Sequence, residues 1–429
     1  MSQRCWEPVL QGADAARAVH VAEEIADVLD RRAEEPTAQD ATLSEGLPGA
    51  ALLFDVLAHG KPDGVRSAQV SRVLEAVVEA SGAISEDPGL FTGITGVAWT
   101  LQHLTDHAEA SHLDALDDID TAFLEAFRAP PKPTGFDLMR GLVGIGVMGL
   151  ERPESPAAVA LLGRLAVWLD DTAEVTAAGT SWRAPPGSLH PAARSRFPTG
   201  CHYPGVAHGT AGVVGFLSGL LAAGIEVERA RRLLKGAATW VLAQELPGDT
   251  ALFPHQTEGV GAMAGEPAAR SAWCTGGPGI AWMLWRGGRA LGDPVLQERA
   301  TDLARAAMRR PREGAGVRDA TLCHGSAGLG LIYARFFNAT GNHEFREEAA
   351  LWFRRAQEQR RPGEGVAGYA ALNAPMDRWE PTSGLLTGAA GVGLALMAAA
   401  NPQPPVWDRA FLLSDPPARR ARPGGADQP

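Results

Sequence analysis

The sequence predicts an all-α chain folded as an α/α toroid, a double-ring barrel of seven inner and seven outer helices. Two observations predict it. A Gly-x-x-Gly frame recurs seven times, each copy opening a stretch of apolar and small residues. Between the copies lie segments with apolar residues at helical spacing on one face and charges on the other. Two concentric rings require this alternation, because only the inner helices are covered on every side.

The frame consists of Gly46 and Gly49, Gly93 and Gly96, Gly141 and Gly144, Gly209 and Gly212, Gly276 and Gly279, Gly325 and Gly328, and Gly388 and Gly391, with first glycines 47 to 68 residues apart. Glycine in a helix costs about 1 kcal/mol relative to alanine. Its recurrence therefore asks for a packing reason. Two glycines three apart share a helical face and admit close backbone approach by a neighbour. Stretches such as 50–54 and 213–217 follow them and read as buried inner helices. The outer candidates are 16–32, 66–81, 111–128, 156–171, 227–245, 294–309 and 342–359. Parallel inner helices would direct their positive dipole ends to one face, where a ligand would gather.

The longer gaps precede the fourth, fifth and seventh copies. Segment 172–203, with Pro185, Pro186, Pro191, Pro198 and Trp182, reads as a long ordered loop over the pocket mouth, and 248–269 reads similarly. A single toroid domain is expected over 1–410, with 411–429 a disordered tail.

Composition narrows the function. Lys and Arg total 39 against 50 Asp and Glu, a net charge of −11. That balance argues against a nucleic-acid footprint or a basic membrane patch and tolerates a cationic peptide partner. Four cysteines are too few for a disulfide scaffold of this length. No signal-peptide pattern opens the chain, and no apolar run reaches the roughly 18 residues needed to span a bilayer. A cytoplasmic protein with free thiols and no membrane span is expected.

Cys323 and His324, with Cys274 lying 49 positions upstream, offer three ligands to a soft divalent metal. Two thiolates and one imidazole suit zinc and leave a fourth position open. Asp137 lies four residues before Gly141, His208 directly precedes Gly209, and Arg270 and Cys274 stand just before Gly276. All sit at the starts of inner helices three to six, so the toroid would bring them to one mouth. The first, second and seventh copies carry no such cluster. Plainer readings exist: inert buried cysteines with a satisfied histidine, His208 bonded only to backbone, Asp137 as an N-cap, Arg270 paired with a loop carboxylate. Cys201 and His202 form a second pair outside the register and read as a loop feature. Gly144, Gly146 and Gly149 fit a dinucleotide fingerprint, but no strand precedes them. Asn338-Ala-Thr340 has the form of a glycosylation acceptor, without meaning in a cytoplasmic chain. Trp273 and Trp282, flanking the metal segment, are expected to contact a peptide.

Taken in order, Asp137-Leu-Met-Arg-Gly141, Ala207-His-Gly-Thr-Ala-Gly212, Trp273-Cys-Thr-Gly-Gly-Pro-Gly-Ile-Ala281 and Cys323-His-Gly-Ser-Ala-Gly328 resemble the motifs of lanthionine synthetase C-like proteins, most closely the stand-alone lanthipeptide cyclases. The resemblance runs from about 43 to 397. It implies an α/α toroid with one Zn²⁺ per chain, held by Cys274, Cys323 and His324, with Asp137, His208 and Arg270 around it. Thr275 stands where many members have tyrosine, so no direct role carries over to that side chain. The implied reaction is intramolecular Michael addition of a peptide cysteine to dehydroalanine or dehydrobutyrine, closing a lanthionine or methyllanthionine thioether ring. The implied partners are a dehydrated precursor peptide with its leader segment and a dehydratase. The incoming sulfur would take the open position and lose its proton. His208 would serve as general acid–base, Asp137 would orient it, and Arg270 would stabilise the enolate oxygen. Alternatives are addition of a small thiol such as glutathione to dehydrated residues, and a zinc-stabilised peptide-binding scaffold without turnover.

Overall fold

Each glycine frame opens an inner helix. The computed structural model describes residues 5–33, 41–59, 64–107, 110–127, 135–259, 267–373 and 376–418. Its helices are α1 (Gly12–Arg32), α2 (Pro48–Ala58), α3 (Val65–Ala80), α4 (Ile94–His103), α5 (Ala110–Ala126), α6 (Leu142–Leu150), α7 (Pro156–Asp171), α8 (Pro191–Arg196), α9 (Thr210–Ala223), α10 (Val227–Ala243), α11 (Gly277–Leu291), α12 (Pro294–Met308), α13 (Ser326–Thr340), α14 (His343–Glu358) and α15 (Ala389–Ala400). Helices α2, α4, α6, α9, α11, α13 and α15 pack each on the next, and α15 returns to α2, closing the inner ring. Seven outer helices cover it, α1 against α15 and α14 against α13 among them. The architecture is the expected α/α toroid. Residue 128, the end of the third outer candidate, lies outside the described residues, as do 260–266 of the second long loop.

The inner helices are buried all round: every residue of α6 is inaccessible to solvent, as are eleven consecutive residues of α9. Local signals set helix ends in both rings. Ser155 and Asp293 cap α7 and α12 through the backbone N–H groups of Ala158 and Leu296. Gly224, Gly292 and Gly341 end α9, α11 and α13 in the left-handed region.

The turns ahead of the inner helices join into a ring. Ser44 donates its N–H to the Phe91 carbonyl (2.9 Å) and Phe91 to Met139 (3.3 Å). Leu138 donates to Ala207 (3.2 Å), Ala207 to Cys274 (3.0 Å), and Cys274 to Cys323 (3.3 Å). Cys323 donates to Leu386 (3.0 Å), and Leu386 closes the circle on Ser44 (3.0 Å). The glycines make the turns possible, though by another route than helix–helix approach. A Cβ on Gly96, Gly144, Gly212, Gly279, Gly328 or Gly391 would stand 2.0–2.4 Å from the carbonyl oxygen six residues earlier in the same copy. The approaching neighbour is the helix's own preceding turn.

Two antiparallel hairpins interrupt the helical pattern: β1 (Glu174–Thr176) with β2 (Gly179–Ser181), and β3 (Ala371–Asn373) with β4 (Arg378–Glu380). The first lies within the predicted loop 172–203 but does not cover the mouth. Strand β2 packs on outer helix α10, where a Cβ on Gly179 would meet the Gly236 carbonyl at 2.5 Å. Only the end of that loop, at Tyr203, reaches the mouth.

The expected tail also needs correction. Residues 411–415 are docked, continuing from a 3₁₀ turn at Val406–Phe411. Buried donors on the inner ring fix them: the Trp273 indole donates to the Phe411 carbonyl (3.0 Å), Trp282 to Leu413 (2.9 Å), and Arg286 to Leu412. Asp415 pairs with Arg286 (3.2 Å) and Arg289. A buried donor without an acceptor costs more than an ordinary hydrogen bond gains, so these carbonyls hold the segment. Trp273 and Trp282 are 1% and 4% exposed, core residues and not peptide contacts. The rings of Phe91, Trp273 and Phe411 fill the axis, with centroids 4.9–6.3 Å apart. Residues 419–429 lie outside the described residues. Among the described residues, no helix is long and apolar enough to cross a membrane.

Two glycines separate the frame from ordinary helix positions. Gly328→Ala drives a Cβ to 2.0 Å from the Leu322 carbonyl, whereas Gly163 in α7 has nothing nearer than 3.9 Å. In urea unfolding, Gly163→Ala is expected to gain about 0.5–1 kcal/mol and Gly328→Ala to lose about 1–3 kcal/mol or more. Phe411→Ala empties the axis and is expected to cost about 3–5 kcal/mol by the same measurement.

Candidate metal centre

The ring of turns sets which residues meet. Position −2 from each first glycine carries Cys274 and Cys323 in adjacent copies, linked directly by backbone. Position −1 carries His208, Thr275 and His324, and position −6 carries Tyr203, Arg270 and Asp319. One ligand atom from each of Cys274, Cys323 and His324 lies within 4.8 Å of the others. Two sulfurs bound tetrahedrally to one ion at about 2.3 Å stand roughly 3.8 Å apart. The three side chains are therefore close enough to share an ion without rearranging the backbone. Their donor set is soft, and both cysteines are half-buried and free of disulfide. The Nε2 of His324 is buried without an aligned hydrogen bond; Asp319 Oδ2 approaches it at 3.3 Å, off the N–H axis. The soft donor set and its spacing fit a zinc-type centre.

Without a cation the two thiols behave as a pair. The hydrogen bond between them, with His324 assisting and burial opposing, holds Cys274 well below the ordinary thiol range. The same contact, with burial, drives Cys323 well above it. One thiolate forms readily and the second is costly, which is the state a divalent cation relieves. Burial pulls His324 down, but the Asp319 and Cys274 contacts outweigh it and push it up to about 9.

The group opens into a cavity of about 410 Å³ lined also by Met139, Ala207, His208, His255, Ala269, Arg270 and Thr275. His208 Nδ1 stands 2.9 Å from Asp137 Oδ2, while Asp137 Oδ1 accepts the Arg140 N–H at 2.8 Å. Asp137 thus holds both its turn and the histidine; Gly141, not Asp137, is the N-cap of α6. The His208 ring is deeply set although 47% exposed to the cavity. Burial pulls its pKa down, and the Asp137 hydrogen bond and charge reverse that and raise it. No carboxylate among the described residues pairs with Arg270, so its cation faces the cavity unclaimed. Thr275 Oγ1 lies 3.8 Å from Cys274 Sγ.

The sequence reasoning missed His255. It lines the same cavity, and Tyr203 stands between it and His208, with centroids 5.7 and 6.0 Å away. Burial pushes His255 down, with His208 and Arg270 adding and Cys274 opposing. It lies outside the glycine register, in the 248–269 segment expected at the mouth, and no sequence signal singles it out within that segment. Asp319 was also missed, though Asp87 occupies the same register and accepts its own i+2 N–H in the same way. Cys201 and His202 do remain apart: the Cys201 side chain packs with Leu189 and Phe197, and backbone bridges to Ala184 and Thr257 pin both residues.

A toroid with two cysteines and a histidine at the mouth of its inner ring defines a class, and comparison with known proteins agrees. The profile of the lanthionine synthetase C-like proteins matches residues 37–412, and the chain belongs to that family. It is 25% identical over 322 residues to the nisin biosynthesis protein NisC of Lactococcus lactis subsp. lactis, covering 71% of this chain and 76% of that one. The solved structure of nisin cyclase superposes with a TM-score of 0.73 at 22% identity, covering 91% of this chain and 96% of the other. That likeness carries the fold.

Proposed function

We propose that the chain is a zinc-dependent lanthipeptide cyclase, with Cys274, Cys323 and His324 holding one Zn²⁺. The observation that carries this reading is the convergence of those three side chains at the mouth of a lanthionine synthetase C-like toroid. When bound, the ion would supply the positive charge that keeps a substrate thiol deprotonated near neutral pH. The rest falls to the chain's own residues. A precursor-peptide cysteine adds to the β-carbon of a dehydroalanine or dehydrobutyrine in the same peptide, forming the C–S bond. Electron density moves to the adjacent carbonyl as an enolate. Arg270, without a carboxylate partner, offers its guanidinium to that oxygen. His208, its protonated form favoured by Asp137, delivers a proton to the α-carbon, and the thiol proton restores the balance. Asp137 fixes the proton-bearing nitrogen of His208 toward itself and leaves Nε2 to face the cavity. The partners proposed are the dehydrated precursor with its leader and the dehydratase that supplies it. Four unpaired cysteines suit a reducing, cytoplasmic setting. The cyclase domain is proposed to extend through residue 418.

Purified protein is expected to carry about one equivalent of zinc by elemental analysis, lost in Cys323→Ala. With a dehydrated, cysteine-containing peptide, alkylatable thiol should disappear without added thiol. A strict requirement for glutathione would instead favour addition of a small thiol. His208→Ala is expected to keep its zinc and slow ring closure by about 10²–10⁴-fold; unchanged turnover would remove His208 from the reaction.

The Asp137 charge raises the His208 pKa, so Asp137→Asn lowers it. Whichever limb of the pH–rate profile His208 governs should move toward lower pH in that variant, measured as the ring-closure rate from about pH 5 to 9. A limb that stays in place would assign it to another group.

A further inference from the structure

Asp319 is a buried carboxylate that the proposed chemistry does not use. Its side chain is 1% exposed. Four groups converge on it. Oδ1 accepts the Thr321 backbone N–H (3.1 Å) and the Thr321 hydroxyl (2.9 Å). Oδ2 accepts the Leu372 N–H from β3 (3.1 Å) and faces His324 Nε2 at 3.3 Å. The space is tight: a Cβ on Gly325 would come within 2.4 Å of Oδ1, so glycine there leaves room for the carboxylate. The three N–H and O–H donors fix its plane before His324 is considered.

An ionised carboxylate only accepts, so it places a proton on whichever imidazole nitrogen faces it. The nitrogen that faces it is Nε2. A neutral imidazole carries one N–H and one lone pair, and only the lone pair can serve a metal. Resting on the zinc reading above, we infer that Asp319 is the positioning residue of the metal centre: it holds His324 as the Nε2-protonated tautomer and so presents Nδ1 to the ion shared with Cys274 and Cys323. The same oxygen binds the Leu372 N–H. The orientation of the metal-binding ring is therefore tied to the β3–β4 hairpin, which walls a second lobe of about 240 Å³ that shares Arg270 and His324 with the first cavity. Asp319 acts through His324 and touches neither substrate nor reacting atoms.

Asparagine at this position cannot satisfy all four groups, because its amide end is a donor and must confront either Thr321 or the Leu372 and His324 side. Zinc affinity, measured by competition with a chromophoric chelator on folded protein, is expected to fall about 10–100-fold in Asp319→Asn. Thr321→Val removes one bond to Oδ1 and leaves Oδ2 in place, and should bind zinc nearly as tightly as the wild type. A purely structural role would instead weaken both variants together. A second measurement needs no variant: long-range ¹H–¹⁵N spectra of zinc-loaded wild-type protein labelled with [¹⁵N]histidine should show the His324 proton on Nε2. A proton on Nδ1, or unchanged affinity in Asp319→Asn, overturns this inference and leaves the cyclase reading standing. Wild-type protein that binds no zinc overturns the cyclase reading itself.

Discussion

The molecule depends on a closed circle of main-chain hydrogen bonds. Each turn ahead of an inner helix donates to or accepts from the turns of its two neighbours, and the seventh returns to the first. Main-chain bonds are indifferent to side-chain identity. The scaffold can therefore hold Phe91 at one station for packing and Cys274 and Cys323 at two others for chemistry. Cys274 and Cys323 stand at adjacent stations joined by a main-chain bond, so two cysteines 49 residues apart in sequence are set side by side by backbone. That differs from a site on flexible loops, where ordering each side chain carries its own entropic cost.

Much of this was legible because register was legible. The glycines mark each turn, and counting back from them puts Cys274, Cys323, His324 and His208 on one rim before any coordinates exist. What escaped was whatever the register does not number. His255 enters from the 248–269 connection, which the sequence places at the mouth, but nothing in its neighbours singles it out within that segment. Residues 411–415 carry the Pro- and Arg-rich neighbourhood of a tail, yet they dock, because Trp273, Trp282 and Arg286 present buried donors that only a returning chain can satisfy. Composition reports what a segment can do alone; that demand was distributed over three other helical turns. Trp273 was misjudged for the same reason: its nearness to Cys274 in sequence suggested contact with a ligand, but successive residues of the turn point to opposite sides of the ring.

The electrostatics of the rim form a graded arrangement. The contact between the two thiols favours the thiolate at Cys274 and disfavours it at Cys323. Arg270 lies near enough to favour the Cys323 thiolate without forming an ion pair. Across the cavity His208 is raised by Asp137, while His255 is lowered by burial and by its cationic neighbours. Two histidines in one cavity with pKa values pushed apart can hold opposite protonation states at one pH.

An aromatic cluster backs the ring of turns. Phe91 and Trp273 belong to the ring of turns, and Phe411 comes up from the far end to meet them. The inner side of the ring is thus filled with close-packed aromatic carbon beneath the thiols, while Thr275, His208 and Arg270 face outward. A dry floor strengthens every charge interaction above it, and a rigid one denies the two sulfurs room to separate. The docked C-terminal segment therefore belongs to the construction of the site although none of its residues borders the cavity. Its carbonyls hold the Trp273 indole, Trp273 is bonded in sequence to Cys274, and the position of that sulfur is set from below as well as around the ring.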